Sequence, residues 1–279
     1  MDNLTLNLIY SGNQASRILD MLRFVAALTV FLFHFYVPLP GYQAVMVFFV
    51  LSGYFISSTV LKAIKDNRWS WTDYLIKRVT RLWIVLIPCL ILTYIWGVFQ
   101  LNMFGEHNLS NYLDLKTFIG NVFFLQEIFF EPYGLNGPLW SLTYEFWYYI
   151  LFPCLVLIFV SPKKLTKVIY AILFISISMF VGERIMLFFL VWMLGAILPL
   201  IKPAKLKRST NKFILVSLFG LITLFMMNYE NTWQTFLLDF RLGFVFSIFI
   251  YLVISFYNDK EPFIDFNFSK KLSDFSYTL

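Results

Sequence analysis

The chain has 279 residues, of which 59% are hydrophobic and 21% aromatic, while only 14% are charged. Soluble domains carry about a quarter charged residues, so an ordinary water-soluble fold is excluded and a polytopic, all-α transmembrane helical bundle is expected. The formal net charge of +6 would suit nucleic acid, but the basic residues are scattered along an apolar chain instead of forming one stripe, which fits the loops of a membrane protein better.

Residues 1–16 are polar, include Asp2, and show neither a basic start nor a small-residue cleavage pattern. No removable signal peptide is expected. Apolar runs then predict spans at 21–37, 43–62, 82–101, 139–160, 168–182, 185–201, 213–228 and 242–257, each close to the length of about 20 residues that a bilayer needs. Eight such spans leave no room for a separate soluble domain, so residues 1–279 read as a single integral membrane domain. The amphipathic run from Phe118 to Phe130 contains Asn121, Gln126 and Glu127 and reads as an interfacial or re-entrant element.

The first predicted span holds Arg23 and His34, eleven positions apart. That spacing is three helical turns plus only about 20°, with a rise of about 16 Å, so both lie on one face. Arg23 is either a snorkelling anchor or a functional cation, and His34 either a hydrogen-bonded core residue or a base in the outer half of the bilayer. In the second span Ser52, Gly53 and Tyr54 bring hydroxyls and a close-packing glycine to mid-membrane depth, where packing is the simpler reading and a pocket the alternative.

Before the third span, Arg78 and Arg81 share a helical face and present two planar forks suited to phosphate oxygens, or else mark a positively charged span boundary. Gly137-Pro138 is a good helix start for the fourth span, and Trp140, Ser141 and Glu145 follow it. Glu145 lies about two turns inside, at a depth expected to match His34, where a carboxylate could orient the imidazole as a general base. The alternative is an interfacial Glu favoured by the helix N-terminus.

Nineteen of the 22 basic residues fall in alternate connections: Arg17 and Arg23, then 62–81, 163–167, 202–212 and 260–271. This alternation places the N-terminus in the cytoplasm of a multi-pass inner-membrane protein, with the loop at 102–138 outside. Cys89 and Cys154 sit in apolar runs without CxxC spacing, and His34 and His107 lack ligand-spaced partners, so neither a disulfide framework nor a metal site is expected.

Together, Leu19-Asp20-Met21-Leu22-Arg23 with its spacing to His34, Phe48 to Tyr54, Arg78-x-x-Arg81-Leu82, and Pro138-Leu139-Trp140-Ser141-Leu142 with Glu145 resemble acyltransferase family 3, the integral membrane group that includes bacterial polysaccharide O-acetyltransferases. The resemblance implies transfer of a short acyl group from cytoplasmic acetyl-CoA, a co-substrate and not a resident cofactor, to a hydroxyl of a cell-surface or exported glycan. It implies His34, Glu145 and Arg23 as catalytic residues, Arg78 and Arg81 as donor-binding, and a pocket near Ser52, Gly53, Tyr54, Trp140 and Ser141. Membrane lipids are the other expected partners, and nucleic acid is not.

Phe275-Ser276-Tyr277-Thr278-Leu279 looks like the beginning of a later family motif, so the chain is expected to be a truncated form or a member lacking its last spans, with a ninth only begun. The competing classes are a transporter or flippase, and a non-catalytic membrane subunit. The first is disfavoured by the lack of an inverted repeat in the sequence.

Overall fold

The computed structural model describes residues 6–9, 13–105, 107–206, 209–228 and 236–258. The chain end at Phe275–Leu279, which carries the incomplete motif, lies outside the described residues. Among those described, the chain folds into helices and short 3-10 turns with no strand. Eight α-helices run in order: α1 Gln14–His34, α2 Gly41–Lys65, α3 Trp71–Phe104, α4 Leu115–Val122, α5 Trp140–Val160, α6 Lys164–Ala196, α7 Ser209–Met226 and α8 Phe236–Tyr257.

Each predicted span coincides wholly or largely with helix, but among the described residues only five stretches are long and apolar enough to cross a membrane: 41–65, 71–104, 137–160, 164–200 and 236–257. Two predicted spans, 168–182 and 185–201, correspond to one helical element, α6, broken at Gly182. There the backbone takes φ 83° and ψ 173°, a combination that a side chain would resist. Many apolar side chains on α3 and α6, such as Ile84, Leu92, Leu165 and Met179, point outward. Such faces suit hydrocarbon, and they fit a multi-pass membrane protein.

The chain divides into two units, one formed by 1–68 with 187–279 and the other by 69–186. In the first, α1, α2, α7, α8 and the end of α6 surround a core that includes Val50, Leu51, Trp192, Ile250 and Val253. Asn13 caps α1 by accepting from the Ser16 amide at 2.9 Å. Gly53 and Gly195 bring α2 and α6 into backbone contact, with Trp192 O against the Gly53 Cα and Val50 O against that of Gly195. Residues 6–9 run beside this core. Asn7 donates its amide to Pro199 O at 2.7 Å, and Ile9 donates its own to the Tyr54 hydroxyl at 3.1 Å.

In the second unit, Ser70 caps α3 and Asp114 caps α4. The segment between α4 and α5 is held by buried amides. Asn121 donates to Thr117 O and Glu131 O and accepts from the Tyr133 amide, and Gln126 donates to Leu139 O at 3.0 Å. Asn136 donates to the Thr93 hydroxyl at 2.9 Å, and the Trp147 indole donates to Phe124 O at 3.0 Å. These bonds satisfy the loop's buried backbone and fix where α5 begins relative to α3.

Candidate active site

The start of α3 carries Tyr74, Arg78 and Arg81 at successive intervals of four and three residues, so they share one helical stripe. The facing stretch of α5 contributes Glu145 and Tyr149, one turn apart. Tyr149 donates its hydroxyl to Oε1 of Glu145. The guanidinium carbon of Arg78 lies 5.5 Å from the Tyr74 ring centroid and 5.8 Å from that of Tyr149, both within cation–π range. Arg81 is also within electrostatic range of the Tyr149 phenol. Two arginines, a carboxylate and two phenols are thus gathered between apolar helices.

Arg78 Nε is buried and completes no hydrogen bond of good geometry, while the buried Tyr74 hydroxyl is in side-chain hydrogen-bond contact with Arg78. An unsatisfied buried polar group costs about 1–3 kcal/mol, which an oxygen-rich ligand can offset by accepting from it. The cluster can therefore bind an anionic or carbonyl oxygen through Arg78, with the Glu145 and Tyr149 pair limiting how much negative charge it takes.

His34 and Arg23 lie in the other unit. His34 is the last residue of α1 and is exposed. Its Nδ1 is 2.7 Å from Val30 O, which assigns the ring proton to Nδ1 and leaves Nε2 as the acceptor. A backbone carbonyl one turn back thus sets the tautomer. Glu145 accepts from Tyr149 in its own unit. Arg23 shares the His34 stripe by spacing but is buried, with its guanidinium carbon 4.1 Å from the Phe55 ring centroid and Nη1 3.6 Å from the Asp20 carboxylate. It ties α1 to α2 by stacking on Phe55, while its charge pairs with Asp20 one turn back on α1 itself.

The remaining expected residues are engaged in packing or capping. The Trp192 indole donates to Ser52 Oγ at 3.3 Å, and Gly53 sits at the helix crossing. Tyr54 is fully buried, and its hydroxyl donates to Asn7 O at 3.2 Å. Trp140 packs edge-on against Tyr144 at 4.9 Å, and Ser141 donates to Pro138 O at 3.2 Å. Tyr74 and Tyr149 were not expected from the sequence. Their signal was available in the four-residue intervals to Arg78 and from Glu145. Among the described residues, no three His, Cys, Asp or Glu side chains gather as a metal-holding group.

The family defined by the acyltransferase domain matches residues 17–279. This chain belongs to that acyltransferase family. It is 32% identical to an O-acetyl transferase of Shigella phage Sf6 over 59% of this chain and 52% of that protein. It is 28% identical to a peptidoglycan O-acetyltransferase of Listeria monocytogenes over 54% of this chain and 26% of that protein. The acyltransferase chain thus spans about half the length of the first relative and about a quarter of the second. No solved structure matches it.

Proposed function

We propose that this acyltransferase is a multi-pass inner-membrane O-acetyltransferase with a cytoplasmic N-terminus, moving an acetyl group from acetyl-CoA to a hydroxyl of an extracytoplasmic glycan. The observation that carries the reading is the pairing of Arg78 and Arg81 with Glu145 and Tyr149 inside apolar helices of a family member. Glu145 lies within the apolar helix α5, where an ionisable group is costly, so its presence beside the basic pair argues for function. Arg78 and Arg81 would hold the anionic CoA moiety. Arg23 would steady the acyl arm from α1.

His34, with Nδ1 committed to Val30 O, would take the acceptor proton on Nε2. As the hydroxyl oxygen attacks the thioester carbonyl, a C–O ester bond forms and the C–S bond breaks. CoA leaves as its thiolate and receives the proton from His34, so the base is regenerated.

The test reconstitutes the full chain in vesicles with radiolabelled acetyl-CoA on one side and oligosaccharide on the other. Labelled ester on the oligosaccharide is expected, and its loss in His34→Ala with normal membrane insertion. Movement of glycan across the vesicle without ester formation would instead establish a flippase.

A further inference from the structure

Buried carboxylates in apolar helices need a reason, and Asp239 is one that the proposed chemistry leaves unused. It lies in the first turn of α8 at 1% exposure. Its Oδ2 accepts from the Tyr42 hydroxyl at 3.0 Å, across from the start of α2. Tyr42 in turn lines a cavity of about 500 Å³, together with Phe33, Pro40, Gln43, Met227 and Asn228. That volume falls within the range of about 300–1,000 Å³ typical of small-molecule sites. All of these residues belong to the unit that contains His34, and Phe33 is its neighbour in sequence, with the two rings edge-to-face at 5.5 Å. Gly41 is what admits the Phe33 ring here, because a Cβ at that position would overlap it.

The lining has a definite chemical character. Gln43 and Asn228 carry amides, a group able both to donate and to accept. A phenol that donates to a carboxylate can serve a ligand only as an acceptor, so Asp239 fixes which hydrogen bond Tyr42 offers. The Phe33 and Tyr42 rings and Pro40 supply apolar faces. Amides and an oriented phenol beside flat apolar surfaces match the alternating hydroxyls and C–H faces of a sugar ring, and among the described residues no cation lines the cavity to favour an anion.

We infer that this cavity is the subsite for a sugar unit of the glycan acceptor, with Tyr42 and Gln43 binding its hydroxyls and Asp239 acting as a positioning residue for Tyr42. The inference rests on the acetyltransferase reading for its role in catalysis, but the binding itself does not depend on transfer.

The test measures two quantities on the full chain in detergent and in vesicles: equilibrium binding of chitotetraose and maltotetraose without acetyl-CoA, and acetyl transfer to each as a function of its concentration. Wild type is expected to bind at least one of them. Tyr42→Phe and Gln43→Leu should weaken that binding at least tenfold and raise the oligosaccharide KM by a similar factor, with the KM for acetyl-CoA unchanged. Asp239→Asn, which still accepts from Tyr42, should bind within about threefold of wild type, whereas Asp239→Leu, checked to be folded at the assay temperature, should weaken binding like Tyr42→Phe.

Binding lost in the variants while no wild-type transfer occurs would sustain the subsite and overturn the acetyltransferase reading. Transfer with variants that bind and saturate as wild type does would overturn the subsite alone. Failure of wild type to bind either oligosaccharide, or a fall in kcat with unaltered oligosaccharide KM, would also overturn it.

Discussion

Tyr149 and Glu145 form a hydroxyl–carboxylate pair one turn apart on α5, and the same phenol ring lies 5.8 Å from the Arg78 guanidinium. The tyrosine therefore links the carboxylate to the basic pair on α3. Removing the hydroxyl alone separates these two roles. Tyr149→Phe keeps the ring under Arg78 but strips Glu145 of a donor, and hydrogen bonds to charged groups contribute about 1.5–3 kcal/mol. Acetyl transfer is expected to fall by about ten- to a hundredfold, with Tyr149→Leu falling further because the cation–π contact is lost as well. Equal activities for the Phe variant and wild type, measured as labelled ester formed per minute, would remove Tyr149 from the site.

Arg78 and Arg81 differ from lysine in shape more than in charge. A lysine cannot present a planar fork to two oxygens, nor stack on the Tyr74 and Tyr149 rings as Arg78 does. Arg78→Lys and Arg81→Lys should each raise the acetyl-CoA KM about tenfold while leaving membrane insertion and the oligosaccharide KM alone. A change confined to the oligosaccharide KM would assign the pair to the acceptor instead.

The positions of the helices were legible because apolar runs of membrane length admit few alternatives, but their ends and breaks were not. Helix α3 begins at Trp71, eleven residues before its apolar run, because the Ser70 cap and the polar stripe through Arg78 extend the helix beyond the span. Gly182 breaks α6 through a backbone conformation that hydropathy cannot report. Asp239 is hidden for the opposite reason: the apolar run begins at Leu242, so hydropathy does not separate a carboxylate in the first turn of α8 from the preceding loop. Of the site, Arg78 and Arg81 could be read as a basic pair at a span boundary and Glu145 as a carboxylate about two turns inside a span. Their grouping with Tyr149 could not, since depth along a span does not specify which faces of two helices meet. The hydrogen bond of the His34 ring to Val30 O was not legible, because a backbone carbonyl one turn back is available to any helical histidine.

Asp114 offers a test of the loop that positions α5. Its carboxylate accepts from the Thr117 amide at 3.1 Å, and the hydrogen bonds from Thr117 hold its pKa below the ordinary 3.8. Because the folded value is the lower one, the cap stabilises fully above the ordinary carboxylate value and loses its effect as pH falls through the folded value. The melting-temperature deficit of Asp114→Ala should therefore be constant near neutrality and shrink on acidification below about pH 4. Asp114→Asn, which caps without titrating, should melt close to wild type at neutral pH. A deficit that grows on acidification would contradict the cap.

The crossing of α2 and α6 makes the sharpest demand on residue size. Val50 O rests against the Cα of Gly195, and Trp192 O against that of Gly53, so both backbones approach where a Cβ would stand. Neither obstacle is the flexible end of a side chain; each is a helix carbonyl already within its own ladder. Gly195→Ala must then push α6 from α2 or distort one helix, and overpacking of this kind costs typically about 1–3 kcal/mol. A backbone obstacle should place it at the upper end of that range. Gly243, where a Cβ would lie 2.8 Å from Val191 Cγ1, faces a side chain that can move, so Gly243→Ala should cost less. The measurement is thermal unfolding of the three purified variants in one detergent, where Gly195→Ala and Gly53→Ala are expected to melt well below wild type and Gly243→Ala between them and it. If all three melt together with wild type, the helices do not cross at this distance, and the close α2–α6 approach is wrong.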